Sequence, residues 1–566
     1  MPTIEIDYNE FENLLGIELP RDLDKLDEIL SYVKSEVKLF KRQEDILSVE
    51  IKDTNRPDLW SVEGLARGLR SYLKIERGPR NYVAENSIIE VNVGDGLGNI
   101  RPYICCSVVK DIELTNTIIR GFMHLQEKLD QTYGRCRQKT SIGLYDFDLI
   151  TSPLSYIAVA PDDFSFVPLG FDRELSLSEI LDKHPKGLEY GDILKKNEKY
   201  PLLLDSKQKI LSFPPIINSN DLGKVTEKTR NLLVEVTGTM YQTTANTLNL
   251  VSLALIDHGG KAYSATINYP ANEYYKLKTD LTPGFGSRIV CLDVDYAKKL
   301  LGLMLTPEKI ADLLLNSGLG VKKIDKNSLE VIVPCYRVDV MHQVDLIEDV
   351  AISYGYNNIE PLWRDLPTTG SMRPEQKLID LTRELMVGLG YQETLNYTLT
   401  NFETLFEQMN LDKQKVVELL NPKIVTMHCL RNWLLPSLME FLSNNQSVEF
   451  PQRIFELGNV TVCDETTETL SRDEFWLAGV STHPNASFTE IKSVLASLFM
   501  NLGIDWFIEK VSHSSFILGR VGRVIVDKKE VGILGEVNPK VLEAWKLENP
   551  TVAFEVNLNK ILFFVS

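Results

Sequence analysis

The sequence predicts an α+β protein built from several domains. Three observations carry that reading. The chain has 566 residues, which at roughly 100–200 residues per domain is enough for three to five. Runs of alternating apolar residues, which mark half-buried strands, recur beside runs with helical spacing. These runs also separate by pattern into four regions: 1–82, 83–278, 279–362 and 363–566.

Region 1–82 opens with an alternating strand over 3–7, and helical spacing begins near Glu10. A second alternating strand over 47–51 leads into DTNRPDLWSVEGLARGLRSYL (53–73). There Asn55-Arg56-Pro57-Asp58 is a turn. Ser61 caps a helix whose Val62, Leu65, Leu69 and Leu73 share one face. Turn and cap account for these residues, so no chemistry is assigned to them.

Region 83–278 contains RPYICCSVV (101–109), a strand with few polar breaks, and a long helix over 118–129. GRCRQKTSIGLYDFDLI (134–150) is a loop returning to a strand. Pro214-Pro215 and the polar cluster 218–221 form a loop. A buried-type strand over 232–236 closes at Thr237-Gly238-Thr239, and a helix follows near Thr244. His124 and His258 lie here without a companion at a diagnostic spacing. VGDGLGNI (93–100) has no following lysine and is not a phosphate loop.

Region 279–362 has a short helix over 296–301 and a well-marked one in LTPEKIADLLLNSGL (305–319). Thr306 is its cap, Pro307 its first residue, and Gly318 lies just past its end. Two small helices and a strand pair make a helix-turn-helix-like module. In EVIVPCYRVDVMHQVDLIEDVAISYGYNNI (330–359), a strand leads through Pro334 to Asp339, and a helix then carries Asp345, Glu348 and Asp349. These last three are spaced i, i+3 and i+4, so they share a helix face. The four acids fit a solvated face near a helix N-terminus. They also fit a hard divalent cation, which takes oxygen ligands and neutralises their repulsion.

Region 363–566 gives a helix and a Gly390 stop in RPEQKLIDLTRELMVGLGYQETLNYTL (373–399), then a second amphipathic helix in HCLRNWLLPSLMEFLSNNQ (428–446). RIFELGNV, FWLAGVS and VGRVIVDKKEVGILGEVN are strands with turns between them. This reads as helices packed on an antiparallel sheet.

Composition bounds the function. With 43% hydrophobic and 25% charged residues, the chain has material for several cores. No run of ~18 apolar residues predicts a membrane span, and the N-terminus lacks the pattern of a secretory signal. The seven cysteines form no CxxC pair or zinc spacing, so reduced thiols in a cytoplasm are expected. A net charge of −18 argues against a general nucleic-acid coat. It leaves room for local patches at Arg135, Arg137 and Lys139, or at Lys322 and Lys323, although such clusters are more often solvated edges.

The stretch 330–359, NRPD followed by SVEGLAR, and QEKL (126–129) followed by GR and IGLYD together resemble the beta subunits of phenylalanyl-tRNA synthetase, archaeal and eukaryotic type. The resemblance spans nearly the whole chain in that family's module order. It implies a structural module at 1–82, an editing module at 83–278, the helix-turn-helix-like module with its acidic site at 279–362, and a class II synthetase-like fold at 363–566. It further implies that Asp339, Asp345, Glu348 and Asp349 bind Mg2+ together with the alpha subunit. It implies an α2β2 tetramer that charges tRNA(Phe) using ATP.

A class II site needs arginines for ATP phosphates. Arg453 in RIFELG stands near one expected position, but Glu456 follows three residues on rather than two, and GILGEVNPKVLEAW carries no arginine. No aminoacylation site is therefore expected on this chain. The resemblance carries an editing pocket for mischarged tyrosine onto Leu203, Ser212, Glu235 and Thr237. Relatives commonly have aspartate where this chain has Glu235, one methylene longer. Read without the resemblance, Glu235 is a strand-end charge facing water, and Ser212 and Thr237 are turn caps. Two rival functions stay open: a freestanding tRNA-editing hydrolase, and a non-enzymatic scaffold.

Overall fold

The computed structural model describes residues 2–271, 274–275, 278–362 and 368–561. The first five residues of the fourth predicted region and its last five lie outside the described residues. The chain divides into two compact units, Met1–Leu362 and Trp363–Ser566.

Among the described residues, the first unit holds three sheets of three or more strands, besides the short pair Ser165–Phe166 and Leu175–Ser176. Thr3–Asp7, Ile46–Ile51 and Ser35–Lys41 form the first, with Ile46–Ile51 in the middle. The alternation of Ile46–Ile51 buries Leu47, Val49 and Ile51. Asp7 caps the helix Tyr8–Leu15 by accepting from Glu10 N, and Ser61 caps Val62–Tyr72 by accepting from Gly64 N. The helix Leu23–Ser31 and the strand Ser35–Lys41 have no counterpart in the sequence reading.

The second sheet has ten strands. It is mixed: Glu85–Val93 runs parallel to both Lys261–Asn268 and Leu154–Val159, while the pairs that matter below are antiparallel. Leu232–Gly238 lies between Tyr103–Lys110 and Thr140–Asp146, and every one of its residues is buried. It extends to Gly238 and the next helix starts at Tyr241, so the strand is longer and the turn shorter than the sequence predicted. Successive side chains point to opposite faces. Val234 and Val236 join the core that contains the helix Tyr241–Asp257, whereas Leu233 joins a second core with Tyr145 and Leu203. Glu235 shares the face of Leu233.

The third sheet, of Arg288–Asp293, Ser328–Val333 and Gly320–Ile324, has three strands where a pair was expected. The helices Val294–Leu301, Pro307–Asn316 and Gln343–Tyr354 share its core. Thr306 caps the second helix by accepting from Lys309 N at 3.2 Å, and Gly318 takes φ +75°, a backbone state that glycine adopts without strain.

The second unit is built on a seven-stranded sheet, antiparallel apart from the short strand Gln392–Glu393 beside Gln452–Cys463. One core packs beneath Pro374–Gly388 and Phe488–Asn501, and another beneath Leu435–Asn444. The mixed α/β architecture with several sheets agrees with the sequence reading. The helix Phe488–Asn501 was not anticipated.

Candidate functional site

A cavity of about 690 Å³ opens beside the ten-stranded sheet. Its lining includes Ser212 and Glu235, but neither Leu203 nor Thr237. Leu203 is fully buried and faces Ser212 across the adjacent strand, so it backs the wall. Thr237 Oγ1 accepts from Arg101 Nε at 2.9 Å and lies 3.1 Å from Ser141 Oγ. It belongs to a layer behind the cavity.

Glu235 is 2% exposed, so it does not face water. It sits opposite Cys106 on one neighbouring strand and Gly143 on the other. Gly143 is what makes room: a Cβ there would come within 2.6 Å of Glu235 Oε2 and closer still to the Tyr145 hydroxyl. That hydroxyl donates to Oε2 at 2.9 Å, while Oε1 has no hydrogen-bond partner. Burial pushes the Glu235 carboxyl up to about 7, against the opposing pull of the Tyr145 hydrogen bond, the Arg101 charge and the Thr237 hydroxyl.

Four contributors escaped the sequence reading: Arg101, Asp130, Tyr145 and Asn218. Arg101 is 1% exposed. It donates to Thr237 Oγ1, Thr237 O, Ser141 Oγ and Arg137 O. Arg137 is no solvated edge. Its Nη1 donates to the carbonyls of Pro215 and Ile216 at 3.0 and 2.9 Å, and its guanidinium stacks over the Tyr190 ring at 4.5 Å. A glycine inside a buried strand signals a close approach, so Gly143 in IGLYD was the one readable hint.

His258 does have companions, supplied by region 1–82. Nε2 is 2.7 Å from Glu63 Oε1 and Nδ1 is 3.4 Å from Glu10 Oε1. Long-range contacts of this kind leave no mark in local spacing.

The structure does not bring the four acids of the 330–359 stretch to one point. Arg337 Nη2 stands 2.8 Å from Asp339 Oδ2 and 2.7 Å from Asp349 Oδ2, and Arg56 Nε is 3.5 Å from Asp339 Oδ1. Burial opposes ionisation of Asp339, but Arg337 and Arg56 hold it down at about 2. At Asp349 burial outweighs the same two arginines and the carboxyl moves up. Asp345 Oδ2 accepts from the Met341 and His342 backbone N–H groups, each at 2.7 Å, closing the helix N-terminus. Glu348 is exposed and paired with Lys34 at 2.6 Å. Among the described residues, no three His, Cys, Asp or Glu side chains are grouped to hold an ion.

The comparisons with known proteins converge. Residues 359–558 match the model of the phenylalanyl tRNA synthetase beta chain CLM domain, and 290–356 that of the tRNA synthetase B5 domain. The phenylalanine–tRNA ligase beta subunit of Thermococcus sibiricus is 41% identical over 561 residues, covering 99% of this chain and 98% of that protein. This chain belongs to the phenylalanine–tRNA ligase beta-subunit family. The Pyrococcus furiosus beta subunit is likewise 41% identical, covering 99% of this chain and 100% of the relative. A crystal structure of an N-terminal fragment of the Pyrococcus horikoshii beta subunit superposes with a TM-score of 0.60 at 36% identity, covering 63% of this chain and all of that one.

As a beta-family chain it is a subunit of an aminoacyl-tRNA ligase. Within its second unit the RIFELG strand holds no free arginine–glutamate pair. Glu456 is fully buried, 2.7 Å from Arg431 Nη1, and Arg453 lies 3.5 Å from Glu490. Glu555 accepts from Leu434 N at 2.6 Å and Leu435 N at 3.2 Å. Burial raises its carboxyl to about 8. These groups are committed to the fold. Among the described residues no helix is long and apolar enough to cross a membrane.

Proposed function

We propose that this chain supports ATP-dependent attachment of phenylalanine to tRNA(Phe) by an alpha subunit, within an α2β2 assembly, and that its cavity hydrolyses tyrosyl-tRNA formed in error. Phenylalanine and tyrosine differ by one hydroxyl, and an apolar pocket rejects an added hydroxyl only by on the order of 10²-fold. A second site is the remedy when it accepts the phenol and penalises its absence. The observation that supports this reading is Glu235 Oε1, a buried acceptor with no partner, at the wall of a cavity roomy enough for an aminoacyl group. Tyrosine satisfies that oxygen, whereas phenylalanine leaves it unpaired at a cost of about 1–3 kcal/mol. Ser212 lines the same cavity. No nucleophilic triad is assigned; hydrolysis is by a positioned water, helped by the terminal hydroxyl of the tRNA.

The acidic stretch does not fit a four-carboxylate cage as folded, because Arg337 already neutralises Asp339 and Asp349. A magnesium ion shared with the alpha subunit would find Asp345 and Glu348 on this chain.

The test is to assay the chain alone and with its alpha subunit, for phenylalanylation and for tyrosyl-tRNA deacylation. Phenylalanylation is expected only from the pair, and deacylation is expected to fall in Glu235→Ala. Full phenylalanylation by the chain alone, or deacylation indifferent to Glu235, would overturn the proposal.

A further inference from the structure

The cavity holds a second acid that the editing reading does not use. Asp130 lines it from the turn Leu129–Tyr133, at the end of the helix Asn116–Lys128. It is 2% exposed. Arg137 Nε pairs with its Oδ2 at 3.0 Å, though not as a well-aligned hydrogen bond, and Asp130 Oδ1 has no hydrogen-bond partner.

The reason lies in where the two arginines aim. Arg101 donates to hydroxyl and carbonyl oxygens of Thr237, Ser141 and Arg137. Arg137 Nη1 donates to Pro215 O and Ile216 O. Arg137 thus balances the charge of Asp130 through Oδ2 alone, and neither guanidinium donates to Glu235. Two buried carboxylate oxygens are left with neither an ion-pair nor a hydrogen-bond partner: Asp130 Oδ1 and Glu235 Oε1. Such groups are costly unless something donates to them. A tyrosyl ester carries two donor groups at opposite ends, a phenol and an α-ammonium. We infer that Asp130 is the second anchor of the pocket, receiving the α-ammonium of the aminoacyl group whose phenol Glu235 receives. The assignment rests on the editing reading for its substrate, but the chemistry it asserts is narrower: one acid for a phenol, one for an amine.

The two are separable by binding alone. Tyramine carries both donors and 4-ethylphenol only the phenol. Titrated into the full chain, tyramine is expected to bind roughly tenfold or more tighter, the size of one charge-assisted hydrogen bond. Asp130→Asn is expected to remove that preference while leaving 4-ethylphenol binding unchanged; Glu235→Gln weakens both ligands. Equal binding of the two by the wild-type chain, a measurement that needs no variant to fold, would overturn the assignment. So would equal weakening of both in Asp130→Asn, which is the mark of a structural role. In the complex with the alpha subunit, deacylation is compared for tyrosyl-tRNA and its N-acetyl form. The wild type is expected to prefer the free amine, and Asp130→Asn to lose the preference. A tyramine preference without any deacylation would sink editing and keep the amine site. Deacylation that ignores N-acetylation would keep editing and sink Asp130.

Discussion

Arg56 Nε stands 3.5 Å from Asp339 Oδ1, so the NRPD turn of the first predicted region is tied to the acidic stretch of the third. Arg56 also donates to both oxygens of Asp58, at 2.9 and 2.8 Å. With Arg337 between Asp339 and Asp349, two arginines and three aspartates form one buried network. A buried network is broken expensively, because removing one partner strands the others. Arg337→Leu is therefore expected to cost about 3–5 kcal/mol, read as a lowered urea midpoint. Arg337→Lys should recover part of that, since a point charge cannot replace the planar fork. A midpoint unmoved by Arg337→Leu would refute the network.

The same geometry makes a statement about magnesium. A ligand stabilises a fold only by binding it, and the buried half of the acid set already faces a guanidinium. Adding magnesium to the chain alone is expected to leave its melting temperature unchanged within about 1 °C. Any effect that appears with the alpha subunit should be lost in Asp345→Asn or Glu348→Gln. A magnesium-dependent rise for the isolated chain, abolished by Asp339→Asn, would show that Arg337 yields to the ion.

These cases show what the sequence made legible. Caps are local, so Ser61 and Thr306 could be read directly, and both accept the expected backbone N–H. Helical spacing put Asp345, Glu348 and Asp349 on one face, but spacing cannot say what stands opposite. Arg337, two residues from Asp339, gave no sign that it would serve as the counter-ion. At the cavity, Ser212 and Glu235 stand in the lining, and Leu203 and Thr237 stand behind the wall. Glu235 also read as a strand-end charge, because only the sheet order reveals that its strand is flanked on both sides. Asp130 and Arg101 act through contacts between segments far apart in sequence, and no periodicity encodes them.

Glu235 carries a pH dependence of definite sign. Its carboxyl is raised to about 7 in the fold from an ordinary value of 4.5. The folded state therefore binds the proton more tightly, and the stability tied to it is lost as pH rises from 4.5 through 7. Glu235→Gln should remove that slope from a series of melting temperatures. The ionised form is the stronger acceptor for a phenol, so tyrosine selectivity in deacylation should climb between pH 6 and 8, and the variant should flatten it. Selectivity that falls over this range would contradict the assigned role.

The His258–Glu63 pair has a bell-shaped profile, because its two members shift in opposite directions. Burial alone would lower the His258 pKa, but Glu63, then Glu10 and Asp257, raise it above 6.5. Burial alone would raise Glu63, but His258 lowers it below 4.5. The histidine term is full below pH 6.5 and fades as pH rises through its folded value. The glutamate term is full above pH 4.5 and fades as pH falls through its own. Stabilisation by the pair should thus be greatest between about pH 4.5 and 6.5. Melting temperatures of the wild type and Glu63→Gln should differ most in that window and converge toward pH 9. A difference that grows with alkalinity would reject the ion pair.

Gly143 gives a test of the cavity that removes no charged residue. It lies opposite Glu235, and a Cβ there would press on the Tyr145 hydroxyl and Glu235 Oε2. Both are ends of side chains, so the variant Gly143→Ala can fold by moving them, at an overpacking cost of about 1–3 kcal/mol. The move breaks the 2.9 Å hydrogen bond that fixes the Glu235 carboxylate and turns Oε1 away from its present position. In the complex with the alpha subunit, deacylation of tyrosyl-tRNA should fall at least tenfold, about the loss of one hydrogen bond to a charged group. Phenylalanylation, proposed to occur on the other subunit, should stay within about twofold on the same reasoning. Retained deacylation in a folded Gly143→Ala protein would mean that the position of Glu235 does not matter to the chemistry, and the pocket would need another acceptor.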